Sequence, residues 1–185
     1  MIMDKEKPDA SSRFQDTLPV SSDELMRRLD KWGILYNCFK HDPVKTVEES
    51  KRIQGEYSSK DGGGGHIKNL YLRDHKKRNV LLVADQDCKI DLKNLKETLG
   101  TGRLSFGSPI RLMENLGVRP GAVTPFAMVT GVQNKVELCI DTTLLSFENI
   151  YAHPLVNDLT LELSVKQLLV FLEKISAPVK WVDVS

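Results

Sequence analysis

A run of six charged and polar residues, Asp74-His75-Lys76-Lys77-Arg78-Asn79, separates two apolar stretches at about residues 66–73 and 80–84. Both stretches have strand composition, and so short a polar interval between them predicts an antiparallel hairpin. No other feature constrains the fold as much, because the hairpin sets the pairing and direction of two strands around which the rest must pack.

Helix signals flank it on both sides. Ser21 and Glu24 have capping-box spacing, and Leu25, Leu29 and Trp32 recur on one helical face until Gly33. Residues 34–39 read as a strand, residues 41–45 as a turn, and Thr46 with Glu49 repeats the capping-box spacing for a short helix ending near Gly55. The run Gly62-Gly63-Gly64-Gly65 breaks the chain before the hairpin and reads as a flexible hinge or lid. Beyond the hairpin, a basic helix turns Leu92, Leu95 and Leu99 inward and Lys89, Lys93 and Lys96 outward. Ser108-Pro109 starts another helix, with proline at the first helical position where its missing N–H costs nothing, and Gly117 ends it.

Strands are expected at residues 136–141, around Ile150, at 159–163 and at 179–184. Ser164 caps an amphipathic helix bearing Leu168, Leu169, Phe171, Leu172 and Ile175. Strands and helices follow one another without a regular βαβ rhythm. This predicts a single α/β (mixed α+β) domain over residues 21–185, preceded by a loose polar tail at residues 1–20.

With 185 residues, 41% of them hydrophobic, the chain can build one ordinary core. A net charge of +1 excludes tight coating of long nucleic acid, while a local basic patch remains sufficient for a short contact. No apolar run is long enough to span a bilayer, and the polar N-terminus has no signal-like segment, so a soluble cytoplasmic protein without a membrane partner is expected. Cys38, Cys88 and Cys139 are odd in number and far apart among apolar neighbours, which predicts small buried thiols.

The search for chemistry first removes several classes. There is no G-x-S-x-G elbow, no Walker loop and no G-x-G-x-x-G after a strand. His41, His66, His75 and His153 show no metal-binding spacing, and no metal or other cofactor is expected. Three stretches remain. In His66-Ile67-Lys68-Asn69-Leu70-Tyr71-Leu72-Arg73, strand alternation puts Lys68 on the face of Leu70 and Leu72. A lysine there either meets an anionic ligand or guards a sheet edge. In Arg119-Pro120-Gly121-Ala122-Val123-Thr124-Pro125, two prolines and a glycine fix an irregular backbone, either a rigid connector or a loop presenting N–H groups to a ligand. In His153-Pro154-Leu155-Val156-Asn157-Asp158, the histidine either tethers a loop or serves a substrate.

Taken together, these stretches resemble the YbaK-type aminoacyl-tRNA editing-domain superfamily. More narrowly, they are similar to its free-standing prolyl-tRNA-synthetase-associated branch, the alanyl-tRNA(Pro) deacylases called ProXp-ala or PrdX. The matching residues are Lys68 to Leu72, Gly102-Arg103-Leu104-Ser105-Phe106, the G-x-x-x-P loop from Gly121 to Pro125, and His153 to Asp158. His41-Asp42-Pro43-Val44 also fits, and the likeness extends over about residues 21–184.

The resemblance implies an editing-domain fold, a mixed central sheet with flanking helices, and hydrolysis of alanine mischarged on tRNA(Pro) in trans. It implies that Lys68, Gly121 and His153 are catalytic. Asn69, Val44, Thr46, Ala122, Pro125 and Asn157 would form the substrate pocket, with Thr46 equally suited to a helix cap. Arg73 and Arg103 would meet the acceptor-stem end, and Lys76, Lys77, Arg78, Lys93 and Lys96 are further available cations. The implied partners are tRNA(Pro) and prolyl-tRNA synthetase, and a monomer is expected. An aminoacyl ester is already activated, so one preorganised donor and a held water suffice without a covalent nucleophile. A second site that sorts by size can accept alanine and refuse proline. Two rivals stay open: a deacylase for cysteine or another small amino acid, and a non-catalytic module binding tRNA or synthetase.

Overall fold

Arg78 reaches back across the hairpin turn and closes it. Its backbone N–H and its Nε donate to the two carboxylate oxygens of Asp74, each at 2.9 Å, while the Asp74 N–H donates to the Arg78 carbonyl at 3.1 Å. Lys77 supplies the positive φ, 69°, that tightens the turn. Burial opposes ionisation of Asp74, but the Arg78 bonds and the Gly102 N–H overcome it and hold the carboxyl down at about 2.

This computed structural model describes residues 7–44, 46, 49, 52–53 and 64–184. Its strands are β1 (Asn37–Lys40), β2 (Gly64–Asp74), β3 (Asn79–Asp85), β4 (Leu104–Phe106), β5 (Glu137–Asp141), β6 (Asn149–Ala152), β7 (Leu159–Ser164) and β8 (Val179–Val182). They join in the order β1-β7-β6-β2-β3-β5-β8, with β4 also on β2. The β2–β3 hairpin is antiparallel, while β2–β6, β3–β5 and β5–β8 are parallel. The sheet is therefore mixed.

Helices α1 (Ser22–Lys31), α2 (Leu92–Leu99), α3 (Pro109–Leu116), α4 (Met128–Gly131) and α5 (Val165–Lys174) cover it. The hydroxyls of Ser21, Ser108 and Ser164 accept N–H groups at the starts of α1, α3 and α5, each such cap contributing about 1 kcal/mol. One core gathers Leu25 and Leu29 of α1, Leu112 and Leu116 of α3, and Leu168, Phe171 and Leu172 of α5 against Tyr71, Leu81 and Val83. Leu95 and Leu99 of α2 meet Leu72, Val80, Leu82 and Cys139 in a second cluster. Alternation along β2 and β3 divides these clusters between the two sheet faces. Among the described residues, no helix is long and apolar enough to cross a membrane.

Several expectations are corrected. Residues 34–36 do not extend β1: the Ile34 N–H closes the end of α1 on the Leu29 carbonyl, and Leu35 bonds the side chain of Gln167. Described residues of the expected tail are docked. Ser12–Thr17 forms a 3-10 helix, the Ser12 N–H and hydroxyl donate to the Asp158 carboxylate at 2.8 and 2.6 Å, and the Ala10 carbonyl accepts the Asn157 N–H. Gly64 and Gly65 belong to β2, and Phe147 lies so close that a Cβ on Gly65 would stand 2.1 Å from its ring. Gly62 and Gly63 lie outside the described residues. So does most of the helix expected after Thr46, whose hydroxyl accepts the Glu49 N–H at 3.1 Å. Cys38 is exposed on edge strand β1 and Cys88 is half-buried; only Cys139 is a buried thiol, pushed up to about 12 by burial.

Candidate active site

The long strand β2 carries two partners on one edge. Residues 64–66 pair with β6 and residues 72–74 pair with β4, while on the other side residues 67–73 pair continuously with β3. Between β6 and β4 the sheet splits, and among the described residues no strand covers residues 67–71 on that edge. A backbone left unpaired in this way must find other partners or face solvent or ligand. A cavity of about 280 Å³ lies at this split, lined by Val44, Thr46, Ile67, Lys68, Asn69, Leu70, Gln86, Gly121, Val123 and His153.

Gly121 reaches the cavity on a tight turn. The Ala122 N–H donates to the Arg119 carbonyl at 3.0 Å, with Pro120 and Gly121 between them and Gly121 at φ +94°. Proline then glycine with positive φ is the pattern of a type II turn. The turn's own bond uses the Arg119 carbonyl and the Ala122 N–H, so the Gly121 N–H is no part of it.

His153 is oriented by its backbone neighbour. Its Nδ1 lies 2.8 Å from the Leu159 carbonyl oxygen, and a carbonyl can only accept, so Nδ1 carries the proton and Nε2 is the acceptor of the neutral ring. Burial lowers its pKa below the ordinary histidine value and outweighs the Leu159 bond, which acts the other way. The ring is therefore neutral at pH 7. Asn69 contributes a second acceptor: its Oδ1 is buried and has no hydrogen-bond partner among the described residues. The Lys68 ammonium donates to the Cys88 carbonyl beyond the end of β3.

The aminoacyl-tRNA editing domain family matches residues 41–171. This chain belongs to that family. The prolyl-tRNA editing protein ProX of Acetoanaerobium sticklandii is 39% identical over 145 residues, covering 78% of this chain and 85% of that protein. A prolyl-tRNA synthetase associated domain-containing protein of Xenopus laevis is 33% identical over 156 residues, covering 82% of this chain and 89% of its own length. Among solved structures, a candidate trans-editing enzyme for prolyl-tRNA synthetase superposes with a TM-score of 0.64 at 19% identity, over 89% of this chain and 98% of that one. That likeness shows the editing-domain fold.

The other residues expected at the site lie outside the cavity lining. Ala122 is fully buried, and Pro125 opens a buried 3-10 turn, Pro125–Ala127. Asn157 stands behind the wall, its Nδ2 donating to the Val44 carbonyl at 2.8 Å. Arg73 faces Ser105 and Asn79 near the hairpin tip, and the Arg103 carbonyl accepts the His75 N–H there. Five residues of strand separate Arg73 from Lys68, about 17 Å. Gln86 is a lining residue that sequence reasoning missed. It follows β3 without any motif, and its N–H donates to the His66 carbonyl at 2.9 Å.

Proposed function

We propose that this chain acts in trans to hydrolyse the ester joining a mischarged alanine to tRNA(Pro). One observation carries the reading: the split in the sheet gathers Lys68, Asn69, Gly121 and His153 around one small cavity. At about 280 Å³ it falls near the lower end of ligand pockets, suited to an aminoacyl group with part of its ribose rather than to a whole nucleotide.

In this reading the Gly121 N–H stabilises the oxyanion that forms when water attacks the ester carbonyl. Asn69 Oδ1 accepts from the alanine ammonium. His153 Nε2 accepts from the water or from the vicinal ribose hydroxyl, the ester C–O bond breaks, and the departing ribose oxygen takes the proton. Lys68 exchanges its Cys88 carbonyl for a substrate oxygen and so positions the aminoacyl end. Val44 and Thr46 limit the size of the side chain admitted, and Ala122, Pro125 and Asn157 hold the walls. Arg73 and Arg103 lie where a more distant part of the acceptor end would pass. The relatives' names support prolyl-tRNA synthetase as the source of the substrate, and the reading takes the protein as a cytoplasmic monomer.

Single-turnover release of alanine from Ala-tRNA(Pro) by wild type and Lys68→Ala tests the assignment. A loss of at least about tenfold is expected for one positioning contact. Full activity with unchanged affinity in Lys68→Ala would remove Lys68 from the mechanism.

A further inference from the structure

Residues 9–17 are tied to the site from outside its cavity. Of these residues only Ala10 and Ser11 are buried, so little apolar surface offsets the entropy lost in ordering the segment. Hydrogen bonds hold it, and they land on the two loops that carry Gly121 and His153. The Ala10 carbonyl accepts the Asn157 N–H at 2.9 Å. The Ser12 N–H and hydroxyl both donate to the Asp158 carboxylate, at 2.8 and 2.6 Å. Bonds to an ionised carboxylate are roughly twice as strong as neutral ones. Arg119 Nη2 donates to the Thr17 hydroxyl oxygen at 2.8 Å. Asp9 and Ala10 also line, with Pro43, Pro120, Gly121 and Asn157, a second cavity of about 320 Å³. Gly121 is common to the two cavities.

From Asp158 the contact leads to His153. Asp158 precedes Leu159, whose carbonyl accepts from His153 Nδ1 at 2.8 Å and so aims Nε2. Burial lowers the His153 pKa, and the Asp158 charge acts on the ring against it. The loop between these residues is strained. Leu155 sits at φ +70°, in the left-handed region that an L side chain rarely occupies. Such a backbone persists only where its surroundings over-determine it. Residues 41–44 hold Asn157 and Asp158 through the Val44 and His41 bonds, the His41 N–H donating to the Asp158 carbonyl at 3.1 Å. Residues 10–12 hold the same two residues through other atoms.

We propose that residues 9–17 are a built-in brace of the active site, and that Ser12 is a positioning residue that fixes the His153 ring through Asp158 and Leu159. The inference rests on the deacylase reading above and adds to it a segment that touches no substrate. The brace keeps His153 Nε2 and the Gly121 turn in the mutual geometry that attack on the ester requires. A small displacement of such groups is expensive in rate even when the substrate still binds.

The experiment compares wild type, Ser12→Pro, Ser12→Ala and Ser12→Thr in the full chain. Proline removes both donors to Asp158. The backbone suits it, because Ser12 opens the 3-10 helix and Ser11 before it is extended, at φ −76° and ψ 162°. Alanine loses the hydroxyl alone, and threonine keeps both donors. Measured are kcat and KM on Ala-tRNA(Pro), and amide hydrogen exchange residue by residue. Ser12→Pro should lower kcat about tenfold and leave KM within about twofold. It should speed exchange at residues 153–159 and 119–122 while β3 and β5 keep wild-type rates. Ser12→Ala should shift both readouts the same way and less, and Ser12→Thr should match wild type. Unchanged exchange in the two loops, faster exchange spread over the whole chain, or full kcat with loosened loops overturns the proposal. Should wild type release no alanine, the deacylase reading fails, while the exchange comparison still decides whether residues 9–17 brace the two loops.

Discussion

Asn157 and Val44 hold each other by two hydrogen bonds: the Asn157 side-chain amide donates to the Val44 carbonyl at 2.8 Å, and the Val44 N–H donates to the Asn157 carbonyl at 3.0 Å. This clamp joins a wall of the cavity to the loop that carries His153, from distant parts of the chain. Asn157 is thus a positioning residue. Asn157→Ala leaves a buried carbonyl unsatisfied and should cost about 1–3 kcal/mol in thermal or denaturant unfolding. A loosened Val44 should also weaken the preference for alanine over larger amino acids, read from deacylation of tRNA(Pro) charged with each. A stability loss with unchanged preference would make the clamp purely structural.

Gly121 combines two constraints. At φ +94° an L side chain is strained, and an added Cβ would lie 3.4 Å from Asn157 Nδ2 and 3.6 Å from the Val44 carbonyl oxygen. The space is ordinary, so the backbone supplies the penalty, about 1–2 kcal/mol. Gly121→Ala keeps the N–H but strains the turn that aims it, so it should fold with reduced stability and lose kcat, by up to roughly a hundredfold if the Gly121 N–H serves the oxyanion and is turned away from it. Retained kcat alongside lowered stability would show that the positive φ at Gly121 serves the fold and not the aim of that donor.

The pH dependence follows from His153. Burial lowers its pKa, so the neutral ring persists below the ordinary value of about 6.5. The acid limb of kcat/KM should therefore fall below that pH, not at it. His153→Asn can still donate to the Leu159 carbonyl but has no Nε2 acceptor. It should lose roughly a hundredfold in kcat/KM and abolish the limb. A limb that survives His153→Asn belongs to another group.

Asp74 predicts a stability effect distant from the site. Its carboxyl is held at about 2 in the fold against about 3.9 unfolded, so the stabilisation is complete above about pH 4. It is lost as pH falls from there through about 2. The thermal midpoint should drop over that window in wild type and change less in Asp74→Asn. Equal acid slopes in the two proteins would contradict the assignment.

What could be read from the sequence was local. The hairpin around Asp74 and Arg78 and the serine caps at Ser21, Ser108 and Ser164 each depend on residues within a few positions, and each formed. The three-residue strand β4 has no such signature and exists because β2 offers it an edge. The same holds for the N-terminal segment, whose anchor, Asp158, is 146 residues from Ser12. At the site, Pro120-Gly121 announced a fixed turn, and the resemblance grouped it with Lys68 and His153. The split in the sheet that seats them follows from pairing on one edge of β2, which no local pattern encodes. Gln86 carried no signal, and the exposure of Cys38 reflects an edge position set only by tertiary pairing.

The most direct test charges tRNA(Pro) separately with alanine, cysteine, serine and proline and measures the initial rate of ester hydrolysis by the wild-type protein. The account predicts hydrolysis of Ala-tRNA(Pro), with Pro-tRNA(Pro) spared by at least about a hundredfold because the cavity sorts by size. Faster hydrolysis of Cys-tRNA(Pro) than of Ala-tRNA(Pro) would move the specificity to the thiol-bearing residue. No hydrolysis of Ala-tRNA(Pro), or equal hydrolysis of the alanyl and prolyl esters, would contradict it.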